Sequence, residues 1–232
     1  MLKTLEQWLF PGICCLCEHH SETTQDLCTV CKALLPWAID RCYRCGLQLL
    51  DGQDAVDCEQ CRQKPFAFDR LCTLFNYEQP LTQLITGLKF AAKLAYGRVL
   101  GELLAEAVNH TWYQKIPLPE IIIPMPLHER RLKKRGFNQA LELALPSSKQ
   151  LKIPINSHFC KRIVFTKPQS RLDAYRRRNN IKNAFEINRK YQFEHVAIVD
   201  DVVTTGSTVN ALSLALKAKG VKQIDVWCIC RA

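Results

Sequence analysis

Two sets of residues in this 232-residue chain have types and spacings suited to chemistry. The first lies in VAIVDDVVTTGSTV, Val196 to Val209, where an apolar run meets two adjacent carboxylates, Asp200 and Asp201. Small hydroxyl residues follow around one glycine: Thr204, Thr205, Gly206, Ser207 and Thr208. If a helix starts there, its first amides present unpaired donors and the positive end of the dipole, which suits a phosphate. A plain helix start capped by Ser207 or Thr205, with both aspartates solvated, has the same composition.

The second set is eight of the thirteen cysteines, in four C-x-x-C pairs: Cys14/Cys17, Cys28/Cys31, Cys42/Cys45 and Cys58/Cys61. Regularly spaced pairs in a chain with reduced thiols hold metal more readily than they form disulfides. Four soft thiolates around one ion favour tetrahedral zinc, and a closed all-cysteine site is structural. Eight cysteines suffice for two zincs. Sequential pairing joins Cys14, Cys17, Cys28 and Cys31, then Cys42, Cys45, Cys58 and Cys61; an interleaved pairing has the same spacings. Cys15, His19 and His20 are substitute ligands or spectators. The isolated Cys72 and Cys160, with Cys228 and Cys230, read as small buried hydrophobes.

Elements must position both sets. After Pro65 the cysteine-rich pattern gives way to regular apolar periodicity, so residues 1–65 are expected to form a zinc module and 66–232 a larger domain. Residues 69–77 read as a strand, and two helices follow Pro80 with a break near Lys89 to Lys93. EIIIPMPLH is a buried strand feeding a loop stiffened by prolines, and FNQALELAL a helix interrupted at Pro146. Strands are expected near 158–163, in NAFEI, in HVAIVD and in QIDVWCIC, with a helix over 207–219. Strand and helix alternation implies an α/β fold with a mainly parallel sheet, helices on both faces and ligands beyond the carboxyl ends of the strands. Asp200 and Asp201 then fall where a central strand ends.

The formal charge of +10 and pI near 9.0 favour a polyanionic partner, nucleic acid or a phosphorylated small molecule. Basic residues cluster from Arg130 to Arg135 and again from Lys161 to Lys190. The chain has neither G-x-x-x-x-G-K-[ST] nor G-x-G-x-x-G, so nucleoside triphosphate and dinucleotide sites lose their main signatures. Glu6 and Gln7 stand where a secretory signal would carry its apolar stretch, and no apolar run reaches bilayer length. A cytoplasmic location without membrane insertion is expected.

The segment VAIVDDVVTTGST resembles the 5-phosphoribosyl-1-pyrophosphate (PRPP) signature of type I phosphoribosyltransferases. The whole chain resembles the ComF family of competence and GntX-like proteins, which join a double zinc ribbon to a phosphoribosyltransferase domain. The likeness spans the four cysteine pairs, LKF at Leu88 to Phe90, PMPLH at Pro124 to His128 and RGFNQ at Arg135 to Gln139. It extends to the spaced Arg162, Thr166, Gln169, Arg176 and Asn179.

The resemblance implies a role for each matching position. Asp200 and Asp201 would bind the ribose hydroxyls with magnesium, and Thr204 to Thr208 the 5-phosphate. Pro126, Leu127 and His128 would meet the pyrophosphate. Arg131 and Arg135, or the basic loop from Val164 to Asn180, would close over the polyphosphate. Any transfer would displace pyrophosphate from C1 of PRPP, so Asp200 and Asp201 are also the catalytic candidates. The resemblance further implies a role in DNA uptake, with single-stranded DNA stacking on Phe137 or Tyr175 and a competence DNA translocase or helicase as partner. A non-catalytic adaptor and a transferase for a small acceptor are the alternatives.

Overall fold

A computed structural model describes residues 12–49, 57–165 and 184–232. The central sheet has four parallel strands, β3 (Arg70–Asn76), β4 (Ile121–Pro124), β7 (His195–Val203) and β8 (Gln223–Arg231), in the order β3-β8-β7-β4. Parallel strands covered on both faces read as continuous apolar runs rather than alternating ones. Val196 to Val199 and Val226 to Cys230 are accordingly buried without a polar interruption.

One face is covered by α3 (Leu81–Ala91), α4 (Leu94–Ala107) and α6 (Gln139–Leu151). Their Leu84, Leu88, Leu100, Leu104 and Leu143 share a core with Ala197, Val199, Trp227 and Ile229. The other face carries α7 (Ser207–Lys217) and the antiparallel pair β5 (Cys160–Arg162) and β6 (Phe185–Ile187). There Val209, Leu212, Leu216 and Phe185 pack on Val196, Ile198 and Val226. The fold is therefore α/β, with a parallel sheet and helices on both faces.

Two local expectations are corrected. The helix after RGFNQ is not interrupted at Pro146; α6 runs through it. A proline there loses a backbone hydrogen bond and costs about 3 kcal/mol, so packing against α4 must offset it. Gly101 permits that approach, because a Cβ there would stand 2.4 Å from the Leu143 carbonyl oxygen and 2.9 Å from the Pro146 ring. Ser147 Oγ then donates to the Gly101 carbonyl at 2.9 Å. The second correction concerns β7, which does not stop at the aspartates but continues to Val203, because β8 extends to Arg231 and supplies partners that far.

Among the described residues, the cysteine-rich part holds the two-residue strands β1 (Gly12–Ile13) and β2 (His20–Ser21) and the short helices α1 (Thr29–Ala33) and α2 (Glu59–Gln63). Its connector lies along β3: the Ala38 amide donates to Leu74 and the Asn76 amide to Pro36. An otherwise open sheet edge is thereby paired. Leu27 and Leu35 belong to the same core as Leu84 and Leu100. Among the described residues, no helix is long and apolar enough to cross a membrane.

Candidate functional site

The metal sites form first from local geometry. Cys14, Cys17, Cys28 and Cys31 converge, as do Cys42, Cys45, Cys58 and Cys61, with all ligand atoms in each group within 4.8 Å of one another. The pairing is sequential rather than interleaved, and Cys15, His19 and His20 stand outside both groups. Zinc–sulfur bonds of ~2.3 Å put tetrahedral sulfurs about 3.8 Å apart. Cys17 and Cys28 Sγ are 3.8 Å apart and Cys45 and Cys58 Sγ 3.6 Å, so both groups fit zinc. Burial alone would raise the Cys14 thiol, but backbone amides of Cys17, Cys28 and Leu16 outweigh it and hold the group down to about 6. A thiolate is the ligand zinc needs; backbone amides lower Cys42 likewise, while burial raises the Cys31, Cys45 and Cys61 thiols, which a bound cation would have to hold deprotonated. The chain contains two zinc-binding sites, each of four cysteines.

The remaining cysteines are apolar fillers. Cys160, Cys228 and Cys230 are buried, Cys72 packs against the core, and burial pushes the Cys72, Cys160 and Cys230 thiols up to about 12.

At the carboxyl ends of β4 and β7 the chain forms a cleft of about 290 Å³. Asp200 and Asp201 make its floor, both nearly buried, with the Asp201 amide donating to Asp200 Oδ1 at 2.9 Å. Burial first, and then the neighbouring Asp201 charge, hold the Asp200 carboxyl well above the usual carboxylate range. A site that leaves a carboxylate so poorly solvated gains from any cation that enters it. Lys89, at the end of α3, already reaches Asp201 with Nζ 2.5 Å from Oδ2.

One wall of the cleft is the loop Thr204 to Thr208. Gly206 sits at φ +74°, which favours glycine, and as the residue before α7 it has no side chain to cap the helix; the Thr205 hydroxyl accepts from the Ser207 amide at 3.4 Å instead. Thr205 and Ser207 hydroxyls lie 2.8 Å apart, turned toward each other rather than into the core. Thr204 and Thr205 are exposed while Gly206 is buried against Phe66. A helix start whose one side-chain cap is the long Thr205 bond therefore borders a polar cleft, an arrangement that suits an anion.

The opposite wall is basic. Leu127, Arg131, Arg135 and Arg162 line it, with Gln139 beside Arg135 in hydrogen-bonding contact. Burial lowers the Arg135 and Arg162 guanidinium groups while Asp201 and Asp200, respectively, oppose the shift. Both guanidinium groups thus feel the carboxylates of the cleft floor. Two residues of the expected pyrophosphate loop do not line it: Pro126 is buried, and His128 caps α5 (Glu129–Arg135), its Nδ1 accepting from the Arg130 amide at 3.2 Å.

Lys89, Phe90 and Gln139 lie in LKF and RGFNQ, yet their types alone assign them no task; only the fold brings them beside the aspartates. Arg162 is likewise placed by the β5–β6 pair. Phe137 is half-buried against the core rather than displayed for stacking. Tyr175, Thr166, Gln169, Arg176 and Asn179, with the basic loop beyond Phe165, lie outside the described residues.

The second zinc group touches the back of this cleft. Arg231 Nε donates to the Cys45 carbonyl at 3.0 Å, and another guanidinium nitrogen to the Val203 carbonyl at 3.1 Å. Phe66 packs against the Cys42, Cys45 and Cys61 group, and also against Gly206.

A buried polar network occupies the other end of the sheet. Asp225 accepts from Arg70 at 3.1 Å and from Tyr113 at 2.5 Å, and lies 2.8 Å from His195 Nε2. Arg70, His195 and Asp225 stand at or near the starts of their strands, far from the cleft in sheet position, and these bonds, with the Arg70 Nε–Asp225 Oδ1 ion pair at 3.1 Å, give the network a structural task.

A family model described as a double zinc ribbon domain matches residues 5–62. The DNA utilization protein YhgH of Salmonella typhi is 36% identical over 223 residues, 95% of this chain and 97% of the relative. Its counterpart in Shigella flexneri is 37% identical over the same span. Competence protein F of Haemophilus influenzae is 37% identical over 210 residues, 89% of this chain and 90% of that one. Among solved structures, glutamine PRPP amidotransferase from B. subtilis matches 57% of this chain and 25% of its own at TM-score 0.38 and 14% identity. Purine phosphoribosyltransferase from Pyrococcus horikoshii matches 57% and 80% at TM-score 0.32 and 19% identity. Likenesses of that strength decide nothing about the cleft.

Proposed function

This chain belongs to the family of DNA utilization protein YhgH and competence protein F, and from that premise we propose that it is a PRPP-binding, phosphoribosyltransferase-like protein of DNA uptake that contacts single-stranded DNA. The observation that carries the reading is the convergence of a buried carboxylate pair, the start of α7 and three arginines on one small cleft. PRPP asks for those three things together: groups for ribose hydroxyls, amides for a 5-phosphate and cations for a pyrophosphate.

In this reading Asp200 and Asp201 hold the ribose, Thr204 to Thr208 the 5-phosphate, and Arg131 and Arg135 the pyrophosphate. The donor set suits magnesium, a hard cation that takes carboxylate oxygens and retains waters. Bound with PRPP, it would neutralise the diphosphate. Lys89 would give up part of its contact with Asp201 as that charge arrives. The two zinc groups are structural, and their module, residues 1–65, is proposed to be the smaller domain beside residues 66–232. The protein is proposed to act in the cytoplasm.

Hydrogen exchange tests the loop assignment. With magnesium and PRPP, amides of Thr204 to Thr208 are expected to slow, while the Asp225 end of the sheet is unaffected. Slowing spread evenly over the chain, or none in this loop, would contradict it.

The alternative of an adaptor for a competence translocase has its own observation: Val30, Leu34 and Ile39 in the cysteine-rich part are each about two-thirds exposed, at 67%, 66% and 67%. Such side chains suit a protein contact. The two readings are compatible, since that surface and the cleft use different residues.

A further inference from the structure

Phe90 has the highest fractional exposure of the large apolar side chains among the described residues, at 79%, yet it stands on the rim of a charged cleft. Covering a phenylalanine is favourable, a gain this ring leaves unrealised in the free protein. Its placement is constrained from two sides. Lys89, its neighbour in the chain, is drawn to Asp201 on the cleft floor, which fixes the end of α3 there. The Arg135 guanidinium carbon lies 5.9 Å from the ring centroid, within cation–π range. The helix then ends, with Ala92 in the left-handed region and its amide bonded to the Gly87 carbonyl, so Phe90 is not the start of a longer apolar face.

We propose that Phe90 is a stacking platform that holds a planar heterocyclic base beside the ribose-phosphate cleft, either as a free base or as a base of a single strand. An aliphatic ligand gains little from a site whose floor is carboxylate and whose walls are arginine. A flat π-system gains from the ring and from the adjacent cation together, which is how single-stranded nucleic-acid sites combine aromatic shelves with basic grooves. Arg135 would then face both the base and the phosphate-bearing ligand. The proposal rests on the PRPP reading for what the base lies next to, and on Phe90 alone for the stacking.

The test uses the zinc-loaded full-length chain and two fluorescent probes, free 2-aminopurine and a thymine-rich single strand carrying one 2-aminopurine. Stacking quenches this fluorophore. The wild type is expected to quench at least one probe, and Phe90→Ala to weaken that affinity about fivefold to a hundredfold, the range of a lost base–aromatic stack. Phe90→Trp is expected to restore it, which a merely structural role would not give. Quenching of the free base identifies a small acceptor as the source, and quenching of the strand alone identifies the polymer; either supports the platform. No quenching by the wild type, or equal affinity in wild type and Phe90→Ala, overturns it. Calorimetry of wild type with magnesium and PRPP separates the two readings: Phe90-dependent quenching without PRPP binding sinks the cleft assignment and keeps the platform, while PRPP binding without such quenching does the reverse.

Discussion

Replacing Gly206 by alanine perturbs the Thr204 to Thr208 loop at the point where it meets Phe66. At φ +74° an L-residue costs about 1–2 kcal/mol in backbone strain. The added methyl would also stand 3.2 Å from one Phe66 ring carbon and 3.4 Å from another. Phe66 cannot simply withdraw, because it stacks on Phe68 with centroids 4.8 Å apart and packs against the second cysteine group. Overpacking of that kind adds about 1–3 kcal/mol, for a sum of about 2–5 kcal/mol. Gly136 supplies the control: its φ is +84°, with nothing within 4 Å of a built Cβ, so Gly136→Ala should cost only the backbone part, about 1–2 kcal/mol. Urea unfolding with zinc held constant measures both. The excess cost of Gly206→Ala should shrink in a Phe66→Leu background, where the ring is gone. Equal costs for the two alanines, or an excess that persists without Phe66, would refute the contact between Phe66 and the Thr204 to Thr208 loop.

The same cleft carries a pH signature. The folded Asp200 carboxyl is raised above its ordinary value of 3.8, so the native state binds the proton more tightly than the unfolded chain. Stability from this group therefore falls as pH rises from about 4 through the raised folded value. Asp200→Asn removes the poorly solvated charge and is expected to stabilise the fold by about 0.5–2 kcal/mol at pH 7, with the advantage shrinking toward pH 4; a pH-independent or destabilising effect in urea melts would contradict this. For the metal sites, native mass spectrometry should find two zincs, and Cys42→Ser should lose one while weakening PRPP binding several-fold, because Arg231 links the Cys45 and Val203 carbonyls. Full zinc occupancy in that variant would count against the second group.

The cysteine groups were legible because C-x-x-C spacing is itself a local geometry. What spacing could not choose was the partner of each pair, which needs the chain path between Cys31 and Cys42. The aspartates and the Thr204 to Thr208 loop were legible for a similar reason: strand, turn and helix start are contiguous there. Lys89 and Arg162 were not, since each reaches the cleft from a different element and only the packing of α3 and of β5 against the sheet brings them in. Pro146 misled because its local cost is real; the Gly101 contact that offsets it lies on another helix. His128 shows the opposite failure, a residue in a matching motif whose side chain is engaged in capping its own helix.

Above all, the Asp200–Asp201 cleft is proposed to bind PRPP with magnesium. Calorimetric titration of PRPP into the zinc-loaded chain, with magnesium and then with chelator, tests it most directly. Saturable binding is expected that requires magnesium and is lost in Asp200→Asn with Asp201→Asn, while that variant keeps both zincs and its fold. Equal binding by the wild type and the folded variant, or none by the wild type, would contradict it.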